Sequence, residues 1–174
     1  MTHISNFRKV KRIDDVIEIF YQLQKEVKAI LMMVGDGPER LKAMASCEAL
    51  GIADKVKFLG KSNQVYEILC YSDLFLLPSV SESFGLAALE AMMMRVPVIS
   101  SNAGGLPEVN IEGQSGYLFD VGDTESMAVK SIELLQDDVL LEKMKDQARA
   151  VAKCFDIDTV VSQYIAVYQK ALKA

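Results

Sequence analysis

Two glutamates frame the most chemically loaded stretch of the chain, Pro78-Ser79-Val80-Ser81-Glu82-Ser83-Phe84-Gly85-Leu86-Ala87-Ala88-Leu89-Glu90-Ala91-Met92. If a helix starts near Gly85, the free N–H groups of its first turn point out of its end and favour an anion. Glu82 then stands just ahead of that helix, in the same crevice. Glu90 falls mid-helix among Leu86, Leu89, Met92 and Met93. A carboxylate in that company needs a partner. It can accept two hydrogen bonds from a sugar diol or turn to water, and spacing alone does not separate the two.

A second cluster is cationic. Arg8-Lys9-Val10-Lys11-Arg12 puts four positive side chains in five positions of a chain that is acidic overall, with 19 Lys and Arg against 24 Asp and Glu and a net charge of −5. A phosphate clamp would need such a cluster, and a solvated basic turn accounts for the same residues. Gly35-Asp36-Gly37-Pro38-Glu39 allows close backbone approach and a helix opened by Pro38. It is neither a Walker loop nor a dinucleotide fingerprint, so a plain strand-to-helix turn is the better reading. Ser101-Asn102-Ala103-Gly104-Gly105-Leu106-Pro107-Glu108 suits close ligand approach and equally an ordinary turn. Met92-Met93-Met94 reads as adaptable packing. His3, the only histidine, sits in an apolar run and reads as structural.

The composition excludes other classes of function. An acidic chain with no basic face is a poor nucleic-acid binder. Cys47, Cys70 and Cys154 are too scattered for a disulfide framework or a zinc site, so the expectation is buried or idle free thiols in a reducing compartment. No apolar run reaches the ~18 residues of a membrane span. The first residues lack the layout of a signal peptide, and the expected location is the cytoplasm.

These residues need elements to position them. Short apolar runs at His3–Phe7, Ala29–Val34, Val56–Leu59, Leu74–Leu77, Pro97–Ser100 and Gly116–Phe119 read as strands. Helical patterns lie between them, at Ile13–Glu26, Glu39–Leu50, Gln64–Tyr71, Gly85–Met94, Leu106–Ile111 and Ser126–Gln136. In the first, Ile13, Val16, Ile17, Phe20, Leu23 and Val27 recur at three- and four-residue steps, with Asp14, Asp15, Glu18 and Lys25 opposite. Continuous apolar strands indicate a sheet covered on both faces. The alternation predicts an α/β fold, a Rossmann-like doubly wound parallel sheet of about six strands. Val139–Lys153 and Thr159–Leu172 follow as extra C-terminal helices. Ligands of such sheets bind beyond the carboxyl ends of the strands, which is where the loaded segments fall.

Taken together, the segments resemble the carboxyl-terminal, donor-binding half of the retaining GT-B glycosyltransferases of family four. Glu82-Ser83-Phe84-Gly85-Leu86-Ala87-Ala88-Leu89-Glu90 matches the family's Glu-x7-Glu motif. Val34-Gly35-Asp36-Gly37-Pro38-Glu39, Val56-Lys57-Phe58-Leu59-Gly60, Gly104-Gly105-Leu106-Pro107-Glu108 and Ser115-Gly116-Tyr117-Leu118 match in order, so the resemblance covers nearly all of the chain. His3-Ile4-Ser5-Asn6-Phe7-Arg8-Lys9-Val10-Lys11-Arg12 and Gly60-Lys61 look most like the members that join N-acetylglucosamine to L-malate in bacillithiol biosynthesis. Many members carry Gly-Arg-Leu where Ser5-Asn6-Phe7 stands, so Asn6 departs from the commoner phosphate-binding Arg.

The resemblance implies roles. Lys11, with Arg8 or Asn6, neutralises the donor diphosphate, and Glu82 binds a sugar hydroxyl; these are the catalytic candidates. The backbone of Phe84, Gly85 and Leu86 holds sugar and phosphate, Glu90 takes both ribose hydroxyls, and main chain near Gly60 and Lys61 reads the base, plausibly uracil, with Gly35 a further donor-binding position and no cofactor implied. The implied ligand is UDP or a UDP-sugar, bound without a metal. Residues 1–155 form the donor domain. Residues 156–174 form a helix that crosses to a preceding acceptor domain, without which the chain binds but does not turn over. Val161, Tyr164, Ile165, Tyr168 and Leu172 make an apolar stripe on that helix, so either self-association through Thr159–Leu172 or high mobility of that segment is expected. Arg95 stands where the family has Gly at a helix end, so either Arg95 is strained at a positive φ or the helix ends differently. A non-catalytic nucleotide-binding module and a flavodoxin-like signalling domain are the competing readings.

Overall fold

The computed structural model describes residues 1–172. Six strands, β1 (Thr2–Ser5), β2 (Leu31–Gly35), β3 (Val56–Gly60), β4 (Phe75–Leu77), β5 (Val98–Ser101) and β6 (Gly116–Phe119), form one parallel sheet in the order β3-β2-β1-β4-β5-β6. The helices are α1 (Ile13–Leu23), α2 (Arg40–Ala49), α3 (Val65–Cys70), α4 (Leu86–Met93), α5 (Leu106–Val109), α6 (Thr124–Gln136), α7 (Asp138–Ala152) and α8 (Ile157–Ala171). This is the expected doubly wound architecture. The chain reverses its direction of growth between β1 and β4, the switch point at which such sheets open a crevice.

Both faces of the sheet are buried, which explains the unbroken apolar runs. Along β4, Leu74 and Leu76 enter the core shared with α1, α2 and α6, while Phe75 and Leu77 enter the core shared with α3, α4 and α5. Ile99 and Val98 divide the same way on β5. Alternate residues point to opposite faces, so a strand covered twice has no polar side to display.

Element ends move by one to three residues from the expected positions, for identifiable reasons. β1 stops at Ser5 because Phe7 leaves the extended region, at φ 33°. α1 stops at Leu23, its last buried residue, before the polar Gln24-Lys25-Glu26 turn. β2 begins at Leu31 because Ile30 projects into solvent. α6 begins two residues early because the Asp123 carboxylate accepts the Ser126 N–H at 3.0 Å, an N-cap. α8 begins at Ile157, close to the expected boundary at residue 156, and residues 173–174 of that segment lie outside the described residues. The face formed by Val161, Tyr164, Ile165, Tyr168 and Leu172 is exposed.

Candidate functional site

The loops after β1 and β4 meet over the switch point. The first runs from Asn6 through a 3-10 turn at Lys9–Lys11. The second runs from Pro78 to Gly85. They are tied together where the Val80 N–H donates to the Val10 carbonyl at 2.8 Å. Across that tie, the Lys11 ammonium meets Glu82 Oε1 at 2.5 Å, and the Ser79 hydroxyl donates to the same oxygen at 2.9 Å. Ser79 is itself buried and its carbonyl accepts the Ser101 hydroxyl of β5. Two loops thereby converge on one carboxylate, and β5 braces the second of them. The ion pair is largely shielded, with Lys11 and Glu82 side chains 19% and 14% exposed. An ammonium has three donors, so Lys11 can hold Glu82 and still reach a second anion.

The α4 helix starts beside this pair. Gly85 is its N-cap at φ 91°, a conformation that favours glycine, and no side chain caps the end. A Cβ at Gly85 would lie 2.8 Å from a Leu106 methyl. The backbone N–H groups of Phe84, Gly85 and Leu86 have no partner among the described residues. Three unpaired donors at the positive end of a helix favour negative charge. Glu90 lies a turn further along, half-buried, and its carboxylate has no hydrogen bond or ion pair among the described residues. Burial pushes its carboxyl above the ordinary carboxylate range.

The other expected residues are distributed around this centre. Asn6 and Arg8 are exposed on the first loop, and the Arg8 side chain carries no ion pair among the described residues. Arg12 is drawn off to Asp15 on α1. Lys61, just after Gly60, shares a shallow, open depression with Asp36 and Gly37. The structure thus brings Lys11, Glu82, Phe84, Gly85 and Leu86 to one point, with Gly35, Gly60 and Lys61 along the same strand-end edge. Two broader depressions lie around Val27–Ile30, one bounded by Met1 and Asp73, the other by Asp54 and Lys55. They border the amino ends of the strands, the wrong end for ligands of a parallel sheet.

Two glycine segments have a different use from ligand approach. A Cβ on Gly35 would fall 1.8 Å from the Ser5 carbonyl oxygen, and one on Gly37 2.2 Å from that of Asn6. A Cβ on Gly104 would fall 2.1 Å from the Glu82 carbonyl oxygen, and one on Gly105 2.5 Å from that of Ser83. These glycines let the chain pack against the backbone of the two site loops, so they shape the site from behind. Gly60, at φ 68°, has nothing within 4 Å of its missing Cβ and faces open space.

Sequence reasoning missed Ser79 and the strained Phe7. A hydroxyl three residues before Glu82 was the available signal for the first. Among the described residues no cluster of three or more His, Cys, Asp or Glu side chains is arranged to hold a metal, and no helix is long and apolar enough to cross a membrane.

The sheet order and the anion-favouring crevice define a doubly wound α/β domain with a candidate anion site at its switch point, and comparison with known proteins names its kind. The model of the family "glycosyl transferases group 1" matches residues 1–151, and the chain belongs to that family. It is 47% identical to N-acetyl-alpha-D-glucosaminyl L-malate synthase of Bacillus anthracis over 174 residues, 99% of this chain and 46% of that protein. It is 34% identical over 140 residues to D-inositol 3-phosphate glycosyltransferase of Streptomyces avermitilis, 79% of this chain and 30% of that protein. The chain therefore spans about half the length, or less, of the curated relatives it matches. Among solved structures, Anabaena HepE in complex with UDP superposes with a TM-score of 0.89 at 26% identity, over 97% of this chain and 48% of that one. Staphylococcus aureus TarM shares the fold, with a TM-score of 0.90 at 24% identity over 96% of this chain and 34% of that one. The sheet is the Rossmann-like unit of GT-B glycosyltransferases.

Proposed function

We propose that this chain is the donor half of a retaining glycosyltransferase that moves a sugar from a UDP-sugar, such as UDP-N-acetylglucosamine, to L-malate held by a preceding domain. The observation that carries the reading is the Lys11–Glu82–Ser79 cluster set against the uncapped start of α4. In the transfer, the bond between the sugar's anomeric carbon and the diphosphate breaks, its electron pair goes to the diphosphate, and the acceptor hydroxyl bonds to that carbon and loses its proton. Negative charge grows on the leaving group. Lys11 and the N–H groups of Phe84, Gly85 and Leu86 are groups suited to receive it, with Asn6 and Arg8 at the rim. Glu82, anchored by Lys11 and Ser79, accepts from a sugar hydroxyl, and Glu90 accepts from the two ribose hydroxyls. Gly60 and Lys61 border the base, and Gly35 packs behind the first loop.

The 47% identity to an enzyme named for this donor sugar and acceptor, and the UDP bound in HepE, support the choice of ligand. No metal is needed on this reading, because the cation and the helix end supply the positive field. Three free thiols suit a reducing compartment, and we place the protein in the cytoplasm. A thermal-shift panel of UDP, GDP, ADP and their sugars tests the reading. UDP and UDP-N-acetylglucosamine are expected to stabilise the chain, and stabilisation by ADP or GDP alone would overturn the choice of base.

A further inference from the structure

Beneath the first site loop runs a buried chain of hydrogen bonds that the donor contacts do not use. His3 on β1 is fully buried. Its Nδ1 lies 2.8 Å from the Leu76 carbonyl oxygen of β4, and its Nε2 lies 2.8 Å from the Ser5 hydroxyl. A carbonyl only accepts, so Nδ1 carries the proton and donates. In the neutral ring Nε2 is then the acceptor, and the Ser5 hydroxyl must donate to it. That leaves the Ser5 oxygen free to accept, and the Phe7 N–H reaches it at 3.3 Å. Each polar atom of this relay has a partner, and each bond fixes the direction of the next.

What the chain holds is unusual. Phe7 sits at φ 33°, a conformation that side chains other than glycine rarely adopt. Its ring is fully buried, 6.1 Å from the His3 ring and edge-on to Phe58 at 6.4 Å. Its carbonyl accepts the Glu39 N–H at 3.0 Å. The residue is pinned from both sides, and the reversal it makes turns Asn6 outward at the start of the loop that ends in Lys11. Strain of this kind persists only where neighbours over-determine it, and it collects at functional sites. Lys11 and Glu82 lie close enough to act electrostatically on His3.

We propose that His3 and Ser5 are positioning residues. Together they relay the Leu76 carbonyl of β4 to the Phe7 N–H and so set the Asn6–Lys11 loop for the donor diphosphate. This rests on the donor reading above. Neither residue touches the ligand; they act through the Phe7 backbone.

The test combines UDP affinity with a spectroscopic signature. The 174-residue chain, Ser5→Ala and Ser5→Thr are titrated with UDP by NMR at a temperature where each is fully folded. The 15N shifts of the His3 ring are read in the unaltered chain. Ser5→Ala loses one hydrogen bond of the relay and is expected to weaken UDP binding roughly three- to tenfold, while Ser5→Thr keeps the hydroxyl and stays within about twofold. His3 is expected as the Nδ1–H tautomer. A merely structural Ser5 would lower the melting temperature of the alanine variant and leave its UDP affinity alone, and that result overturns the proposal. An Nε2–H tautomer overturns it as well. If the unaltered chain binds no UDP, the donor reading falls and this role falls with it. UDP binding by the unaltered chain that Ser5→Ala matches would remove this role alone.

Discussion

At the scale of single residues, Glu90 is held at a disadvantage. Burial in an apolar helix raises its proton affinity and no partner among the described residues offsets that. A carboxylate whose folded pKa is raised detracts from stability above that pKa, so its contribution improves as pH falls. Ligand binding runs the other way, because the charged form is the better acceptor for a diol. Glu90→Ala is expected to weaken UDP about 10- to 100-fold, the loss of charge-assisted hydrogen bonds. UDP affinity of the unaltered chain should fall as acid protonates Glu90, and Glu90→Gln should flatten that dependence in calorimetric titrations while gaining stability near neutral pH.

His3 gives the opposite signature in stability. Burial holds its pKa down to about 4 from 6.5, with the Leu76 carbonyl and Glu82 opposing the shift and Lys11 adding to it. Between those values the unfolded chain binds a proton that the folded chain refuses. The stabilisation is therefore fully present above the ordinary histidine pKa and is lost as pH falls. Urea unfolding should show about 2 kcal/mol less stability near pH 5 than near pH 7 from this residue. His3→Gln should remove that difference. An unchanged slope in the variant would show that other groups carry it.

At the scale of elements, α4 and its two ends carry most of what is specific to this chain. Arg95, just past the helix, adopts φ 63°, the strained one of the two outcomes its place in the sequence allows. What the sequence did not reveal is that its guanidinium lies 2.7 Å from Asp146 and 3.2 Å from Glu142 on α7. Both pairs are exposed, and pairs of that kind contribute little. Backbone strain should win, so Arg95→Gly is expected to raise the thermal midpoint by roughly 2–4 °C in low or high salt. A lowered midpoint that recovers in high salt would mean that the α7 pairs outweigh the strain.

Strands and helices were legible because burial on both faces leaves unbroken apolar runs and because α1 repeats its apolar residues at helical steps. Gly85 and Glu82 were legible as a helix start and its neighbour. The purpose of Gly35, Gly37, Gly104 and Gly105 was not, because a glycine that admits a ligand and one that admits another backbone are the same letter. Only the fold shows that their near neighbours are the carbonyls of Ser5, Asn6, Glu82 and Ser83. Ser79 was hidden for a related reason, since its placement depends on Ser101 of the neighbouring strand β5, whose hydroxyl holds its carbonyl.

At the scale of the whole molecule, the sheet is complete and its cores are closed, while one long helix keeps an uncovered face. Tyr164, Ile165, Tyr168 and Leu172 are all about half exposed or more. An apolar stripe of that size favours association. Light scattering should show a mass that rises with concentration, and Ile165→Lys with Tyr168→Lys should return it to a monomer. A concentration-independent monomer in the unaltered chain would mean the stripe tolerates water.

The central claim is that donor binding gathers where the loops after β1 and β4 meet. Residue-resolved NMR of the 174-residue chain during a UDP titration tests it most directly. Saturable amide shifts are expected, concentrated at Asn6–Lys11, Glu82–Leu86 and Glu90, nearer millimolar than micromolar in affinity, roughly −4 to −6 kcal/mol. Lys11→Ala should weaken binding without moving the set of affected residues. Shifts concentrated instead around Lys28–Ile30 and Asp73, at the amino ends of the strands, would contradict it, as would no saturable shift at millimolar UDP.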